Sequence, residues 1–377
     1  MDKVRLGDVA TYINGYAFKP EDWGEVGKPI IRIQDLTGSS YQTNRFDGDV
    51  PSKYIVVAGD VLISWSASLG VYVWSGEDAV LNQHIFKVVF DKVNVDKSFF
   101  IHQVGGILDK AASDTHGATM KHLTKPVFDN LPFYLPEIHE QRNISRLLDK
   151  TASLITERRQ QLTALDTLIK ARFVEMFGDP ISNPKGWDSV RLLELGSCKN
   201  GMNFHTDDAG VEVHCLGVGD FKDKSVISDT SVLPLVSLNE MPSGEYLLQD
   251  GDIVFVRSNG NKALVGRCLA VFPGQIQTTF SGFCIRFRKS SHKVTTEYLI
   301  HVLKTESMRK KMQGRGANIQ NLNQQILGSL SIPVPPVDIQ NRFSECVSQI
   351  DKSKAVVQKG LDEAQMLFDS LMQQYFG

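Results

Sequence analysis

The chain is poor in the features that announce catalysis, export or covalent stapling. Only five of its 377 residues are cysteine (Cys198, Cys215, Cys268, Cys284, Cys346), all in the second half. Their odd number and the lack of any Cys-x-x-Cys pair argue against both a disulfide framework and a zinc site, so they read as reduced filler. No apolar run approaches the roughly 18 residues a membrane span needs. The opening MDKVRLGDVA lacks the apolar stretch of a signal peptide. Neither a membrane span nor export is therefore expected, and cytoplasm is the expected compartment. An excess of one charge is missing too: 41 Lys and Arg stand against 43 Asp and Glu, a net charge of -2. Any surface for a polyanion must then be a local patch. There is no Gly-x-x-x-x-Gly-Lys-Ser/Thr, no Gly-x-Gly-x-x-Gly after a strand, no His-Glu-x-x-His and no Gly-x-Ser-x-Gly. Asp179-Pro180 and Asn183-Pro184 are the nearest approach to an adenine methyltransferase motif, but Ile181 and Lys185 follow them, and they read as turns.

What is present is a duplication. From Leu81 onward the second half repeats the first at a fixed distance of 199 positions. Ile101-His102 is answered by Ile300-His301, Gly117-Ala118 by Gly316-Ala317, Gln141 by Gln340, and Phe177-Gly178 by Phe376-Gly377. Upstream the echo continues at other offsets, with Asn14-Gly15 against Asn200-Gly201 and Gly59-Asp60 against Gly251-Asp252. A constant frame with variable early inserts predicts one scaffold used twice to contact two different things.

Each copy has a mixed globular part followed by a long polar helix. PIIRI (29–33), GDVLISW (59–65), GVYVW (70–74) and HIFKVVF (84–90) read as strands, as do GDIVFVR (251–257), RCLAVF (267–272) and FCIRF (283–287). Helices are expected near 98–110 and over 296–312, making both globular parts α+β. After Pro136 and Pro335 the apolar spacing changes. Ile144, Leu148, Ile155, Leu162, Leu165 and Ile169 lie on one seam, and Phe343, Val347, Ile350, Val357, Leu361, Phe368 and Leu371 on its repeat. Polar interruptions at Arg158, Arg172 and Lys354 are matched in the other copy by Val357, Leu371 and Ile155, so the two helices can cover each other's defects. The expected order is a first domain over 1–137, a helix over 138–178, a Gly/Pro/Asn-rich linker over 179–187, a second domain over 188–336 and a second helix over 337–377.

The frame holds while its neighbours change. The first copy offers Asn82, Gln83, His84, His116, Thr119, Lys121 and His122, where the second offers Arg315, Asn318, Gln320 and Asn321. Just past a strand the second copy places Arg257, Ser258, Asn259, Asn261 and Lys262, against Ser64, Ser66 and Ser68 in the first. Asn and Gln suit adenine edges, Arg suits guanine, and Gly-containing loops let backbone amides reach phosphate. A chemistry needed at both sites would not tolerate the change of His84, His116 and His122 to Phe283, Arg315 and Asn321, so recognition is the expected role and no catalytic or metal site is assigned.

The stretches VRLGDVATYINGYAF, GDVLISWSASLG, LNQHIF, LPEIHEQRNISRLLD and above all EMFGDPISNPKGWDSVRL, in this order, resemble the specificity subunits of type I restriction-modification enzymes. The resemblance covers the whole chain. It implies two target-recognition domains, each reading one half of a split site in double-stranded DNA, and long helices pairing as an antiparallel coiled coil with pseudo-two-fold symmetry. It implies docking of two adenine methyltransferase subunits and, in the complete enzyme, of restriction subunits, with S-adenosylmethionine, ATP and Mg on those partners and none on this chain. The second copy departs by carrying Ser281-Gly282-Phe283 where the first has Asn82-Gln83-His84. The chain closes at Phe376-Gly377, so no further region is expected after the second helix. The competing expectation is a stand-alone bipartite DNA-binding regulator without methyltransferase partners.

Overall fold

The computed structural model describes residues 3–40, 42–113, 124–204, 209–221, 224–313 and 321–377. The chain forms two compact units, and neither coincides with one sequence copy. The first takes residues 1–161 together with 357–377, the second residues 162–356.

The first unit holds a four-stranded antiparallel sheet in the order Thr11–Asn14, Ile85–Val89, Val61–Ser64, Gly70–Val73. A second sheet orders Arg45–Phe46, Lys28–Ile31, Ala79–Leu81, Ile55–Val56, and Lys3–Arg5 pairs with Pro132–Tyr134. The second unit repeats this plan. Gly196–Asn200, Cys284–Lys289, Asp252–Val256 and Cys268–Val271 lie in the corresponding order, with Val226–Ile227 added at the edge. Leu235–Leu238, Val211–Leu216 and Thr278–Phe280 form its smaller sheet, and Ser189–Arg191 pairs with Ser331–Pro333. PIIRI ends as a strand at Ile31, because the Asp35 carboxylate accepts the Arg32 N–H (2.8 Å) and starts the short helix Ile33–Thr37. The helix expected over 296–312 is two, Thr296–Lys304 and Glu306–Gln313. Between them Thr305 is extended, its hydroxyl donating to the Val302 carbonyl (2.8 Å) and accepting from the Met308 N–H (3.4 Å).

The repeated residues are the joints of this plan. Gln141 and Gln340 are both buried. Each donates to the carbonyl of the proline five residues earlier (Pro136 and Pro335, 2.8 Å) and accepts a loop N–H from Asp96 or Thr295 (2.8 Å). Buried amides need such partners, so one glutamine fixes the angle at which a long helix leaves its globule. Gly59 and Gly251 adopt φ of 93° and 84°, the left-handed region that favours glycine. The aspartates after them close the same turn, Asp60 accepting from Val57 N–H (2.9 Å) and Asp252 from Gln249 N–H (2.7 Å). Asp252 is fully buried and also takes a two-pronged bond from Arg288 (2.9 and 2.7 Å). Asp252→Ala is expected to cost about 3 kcal/mol, since it strands both a buried turn N–H and a guanidinium. A urea midpoint unchanged from wild type would refute that role.

The long helices run over Ile138–Phe177 and Val337–Phe376, each about 60 Å from its 40 residues. Within the first unit Arg158 lies beside Gly360 and Arg159 donates to Gln365 (3.5 Å), while Tyr375 borders the same groove as Ile144 and Leu147. Within the second, Asp166 binds Lys354 (2.6 Å) and the Phe173 ring meets Phe343 edge-on at 5.5 Å. Within each unit the contacts climb one helix as they descend the other, from Ile144–Tyr375 to Arg158–Gly360 and from Asp166–Lys354 to Phe173–Phe343, so the packing is antiparallel. Ile144, Leu148, Ile155, Ile169, Phe343, Val347, Ile350 and Leu371 are buried, whereas Leu162, Leu165, Val357, Leu361 and Phe368 are half-buried. The polar interruptions are accommodated locally, Lys354 by Asp166, Arg158 by Gly360 and by Gln161 (2.9 Å).

Each globule is completed by the far end of the helix that starts in the other copy. The first unit's core of Leu6, Val61, Phe99, Phe100 and Phe133 includes Leu371, with Phe368, Met372, Tyr375 and Phe376 against it. The second unit's core of Ile253, Phe255, Tyr298 and Phe343 includes Ile169, Phe173 and Phe177. The repeated histidines face these arrivals: His102 lies 5.9 Å from Phe368 and His301 6.2 Å from Phe173. The stretch 179–187 is not slack chain. Asn183, at φ 44°, accepts from Trp187 N–H (3.1 Å) and donates to its carbonyl (2.7 Å), and the Trp187 indole donates to Phe177 (3.3 Å).

Candidate nucleic-acid interface

In both units three segments converge at one end of the larger sheet. In the first they are Asn14–Tyr16, Trp65–Ser68 and Asn82–His84. Gly15 N–H donates to Ile85, Tyr16 N–H to Leu81 and Trp65 N–H to His84. In the second, Gly201 N–H donates to Cys284, Met202 N–H to Phe280 and Arg257 N–H to Phe283, the same connections on corresponding residues. The repeated glycines are required by closeness. A Cβ on Gly15 would stand 2.1 Å from the Asn82 carbonyl oxygen, and one on Gly201 2.0 Å from that of Ser281. No side chain fits between these strands, so the loops are held at fixed separation in both copies.

On this common frame the side chains differ. Asn82 and Ser281 do equivalent work, each side-chain oxygen accepting a backbone N–H within its own turn, from Gln83 (2.6 Å) and Phe283 (3.3 Å). The chemistry diverges at the next positions. In the first unit His84 is exposed and meets the Trp65 ring edge-on at 5.4 Å, and the Trp65 indole N–H donates to Asn14 (3.2 Å). Its neighbour Tyr16 opens onto half-buried rings, at 5.0 Å from Phe18 and 5.6 Å from Tyr54, with the Lys53 ammonium 4.9 Å from the Tyr54 centroid. In the second unit Phe283 replaces the histidine and is 60% exposed. Arg257 stands where Trp65 does and donates to the Gly282 carbonyl (3.3 Å). Asn321 is exposed and pairs as an isolated bridge with Ser258, and Leu322 N–H donates to Arg257 (2.7 Å).

The structure thus brings together Asn82, Gln83 and His84 with the 65–68 loop, and Arg257 and Ser258 with Asn321. Several candidates lie beneath the loops or hold their turns. Ser64 and Ser66 are buried, and the Ser64 hydroxyl donates to the Ser68 carbonyl, so these two support the loop from beneath while Ser68 stays exposed. Asn259 and Asn261 spend their side-chain oxygens on the N–H groups of Asn261 (2.8 Å) and Ala263 (3.0 Å), which shapes the turn that presents exposed Lys262. His116, Thr119, Lys121, His122, Arg315, Asn318 and Gln320 lie outside the described residues. Sequence reasoning passed over Asn14, Tyr16, Trp65 and Phe283. The repeated Asn-Gly was a usable signal for the first two, and position 283, a large apolar residue in a polar turn, for the last.

Burial pushes the Cys198, Cys215 and Cys268 thiols up to about 12, far from the thiolate form a nucleophile or metal ligand needs. Among the described residues no group of three His, Cys, Asp or Glu is placed to hold a metal ion, and no helix is long and apolar enough to cross a membrane.

A family model described as the type I restriction modification DNA specificity domain matches the chain twice, over residues 1–164 and 184–364. The MjaVIII specificity subunit of Methanocaldococcus jannaschii is 22% identical over 399 residues, which cover 98% of this chain and 90% of that protein. The EcoKI specificity subunit of Escherichia coli is 21% identical over 412 residues, 98% of this chain and 86% of that one. The S subunit of a type I restriction-modification system from M. genitalium shares the fold at a TM-score of 0.56 and 13% identity, over 100% of this chain and 96% of that one. A chain solved in work on complex assembly and conformational transition of the type I R-M system does so at 0.60 and 16%, over 100% and 97%. Each family match contains one of the two loop clusters and the start of one long helix, and the chain therefore belongs to the type I restriction-modification specificity subunits, carrying their DNA specificity domain twice.

Proposed function

We propose that each unit reads one half of a split site in duplex DNA, and that the paired helices set the number of unread base pairs between the halves. The observation that carries this reading is the loop cluster built twice on one hydrogen-bonded frame, with His84 and Trp65 exchanged for Phe283 and Arg257 at matching places. A scaffold that conserves geometry and varies the presented groups is suited to reading two different short sequences. The chain then acts by delivery. Adenine methylation requires the base to leave the duplex, and this subunit fixes which adenine each of two methyltransferase subunits reaches. Restriction subunits join in the complete enzyme, and S-adenosylmethionine, ATP and Mg belong to those partners.

Methylome sequencing of a host carrying this chain with its cognate methyltransferase is expected to show one bipartite adenine-methylated motif, exposing both half-sites and the gap. A continuous motif, or no new methylation, would contradict the reading. A net charge of -2 supplies little general attraction to phosphate, so affinity for DNA is expected to rise when the methyltransferase is co-expressed. Equal affinity with and without it would favour a stand-alone regulator.

A further inference from the structure

Among the described residues one charged group in the second unit, although Asp252 and Glu245 act on it electrostatically, has no direct hydrogen-bond or ion-pair partner. Arg286, on the strand Cys284–Lys289, is 5% exposed. Its Nε is sealed from solvent without an acceptor, and among the described residues its guanidinium takes part in no hydrogen bond or ion pair. An unpaired buried cation is costly, and burial indeed pushes its proton affinity down.

The first unit shows how the problem is normally solved. The position corresponding to Arg286 is Lys87, whose ammonium binds Asp60 (2.7 Å) and donates to the Ile55 carbonyl (2.8 Å). In the second unit the corresponding carboxylate, Asp252, is taken by Arg288. The strand therefore carries a second guanidinium that Asp252 and Glu245 influence without pairing to it directly, each being engaged by another cation. Directly across the ladder from Arg286 stands Lys199, held by the exposed carboxylate of Glu245 and lying 4.6 Å from the Tyr246 ring centroid. Both cations sit one short step from the recognition loops, Lys199 beside Asn200-Gly201 and Arg286 three residues after Phe283.

We propose that Arg286 and Lys199 form a phosphate-binding site of the second unit, filled by a backbone phosphate of bound duplex and shielded by Glu245 until then. This rests on the DNA-reading role argued above and adds to it a contact that positions the unit without reading bases. The guanidinium supplies planar paired donors, and the ammonium a mobile charge released when phosphate outcompetes Glu245.

The test uses the full chain with two duplexes, one bearing its methylated motif and one unrelated, titrated between about 50 and 200 mM salt. Arg286→Met is expected to weaken binding to both duplexes alike, by roughly fivefold to tenfold near 0.1 M salt, and to flatten the log–log salt slope by about 0.9. Its thermal midpoint should stay level or rise, because a merely structural arginine would lower it. Lys199→Gln should flatten the slope similarly, and Glu245→Gln should tighten binding. Wild-type slopes in all three variants, or a loss confined to the motif duplex, would overturn the assignment. Should Arg286→Met fail to fold, wild-type slopes in the other two suffice to do so. Inorganic phosphate, matched in ionic strength to chloride, separates the sources. Stabilisation by phosphate that Arg286→Met abolishes, with duplex binding untouched, would mark a free-anion site and overturn the duplex contact. If the wild-type chain binds no duplex, even with its methyltransferase, the DNA reading itself falls along with this one.

Discussion

Phe173→Ala is expected to destabilise the second unit by about 3–5 kcal/mol, although Phe173 belongs by sequence to the first copy. The ring is buried. It packs against Phe177 at 5.1 Å, Phe343 at 5.5 Å, Tyr298 at 6.0 Å and His301 at 6.2 Å. Removing it leaves a cavity walled by rigid rings, which relax poorly, so the cost falls at the upper end for large-to-small changes. Hydrogen exchange locates the effect. Protection should fall across Thr296–Lys304 and the start of the Val337–Phe376 helix, while Thr11–Asn14 and Val61–Ser64 keep theirs. Loss confined to the last turn of the Ile138–Phe177 helix would show that the ring is a passenger and not a core residue. Leu371→Ala should act as the mirror case, loosening Lys97–Ser113 in the first unit.

Deleting one heptad from each long helix, residues 158–164 and 357–363, is expected to abolish methylation of the original motif and to move the preferred gap. The two deletions are repeat partners, so the seam stays in phase on both helices. Seven residues shorten a helix by about 10.5 Å, close to three base pairs at 3.4 Å each. Three base pairs also turn the duplex by about 100° at 10.5 per turn, whereas seven residues return a helix almost to the same face. Methylation at the shortened gap is therefore expected to be slower than wild type. Long-read methylome sequencing of a host expressing the variant with its methyltransferase reads out the result. An unchanged gap would refute the idea that these helices measure DNA.

The duplication made much of this architecture legible beforehand. The strands around Val61–Ser64, Ile85–Val89, Asp252–Val256 and Cys284–Lys289 declare themselves through β-branched runs, and the long helices through their seam. What the pattern does not carry is which globule a helix end enters. Phe173 and Phe177 obey the same spacing whether they pack on their own copy or the other, because periodicity specifies a face and not its partner. The split of 296–312 into two helices depends on one hydroxyl at Thr305, which average propensity does not weigh. The candidate interface was legible as loops but not as individual side-chain placements. Ser64 and Ser66 look like any polar loop residues until burial places them underneath. Arg286 looks like an ordinary mid-strand arginine until Asp252 is seen to be engaged by Arg288.

The interlocked composition of the units governs the order in which the chain can mature. Residues 162–356 emerge from the ribosome as one uninterrupted block, so the later half has every part it needs before the earlier half does. Phe99 and Phe100 must wait for Phe368, Leu371 and Phe376. At about 5–20 residues per second, the wait lasts on the order of fifteen to fifty-five seconds. During it an aromatic surface stands open on the nascent polypeptide, the interval in which chaperones would be most needed.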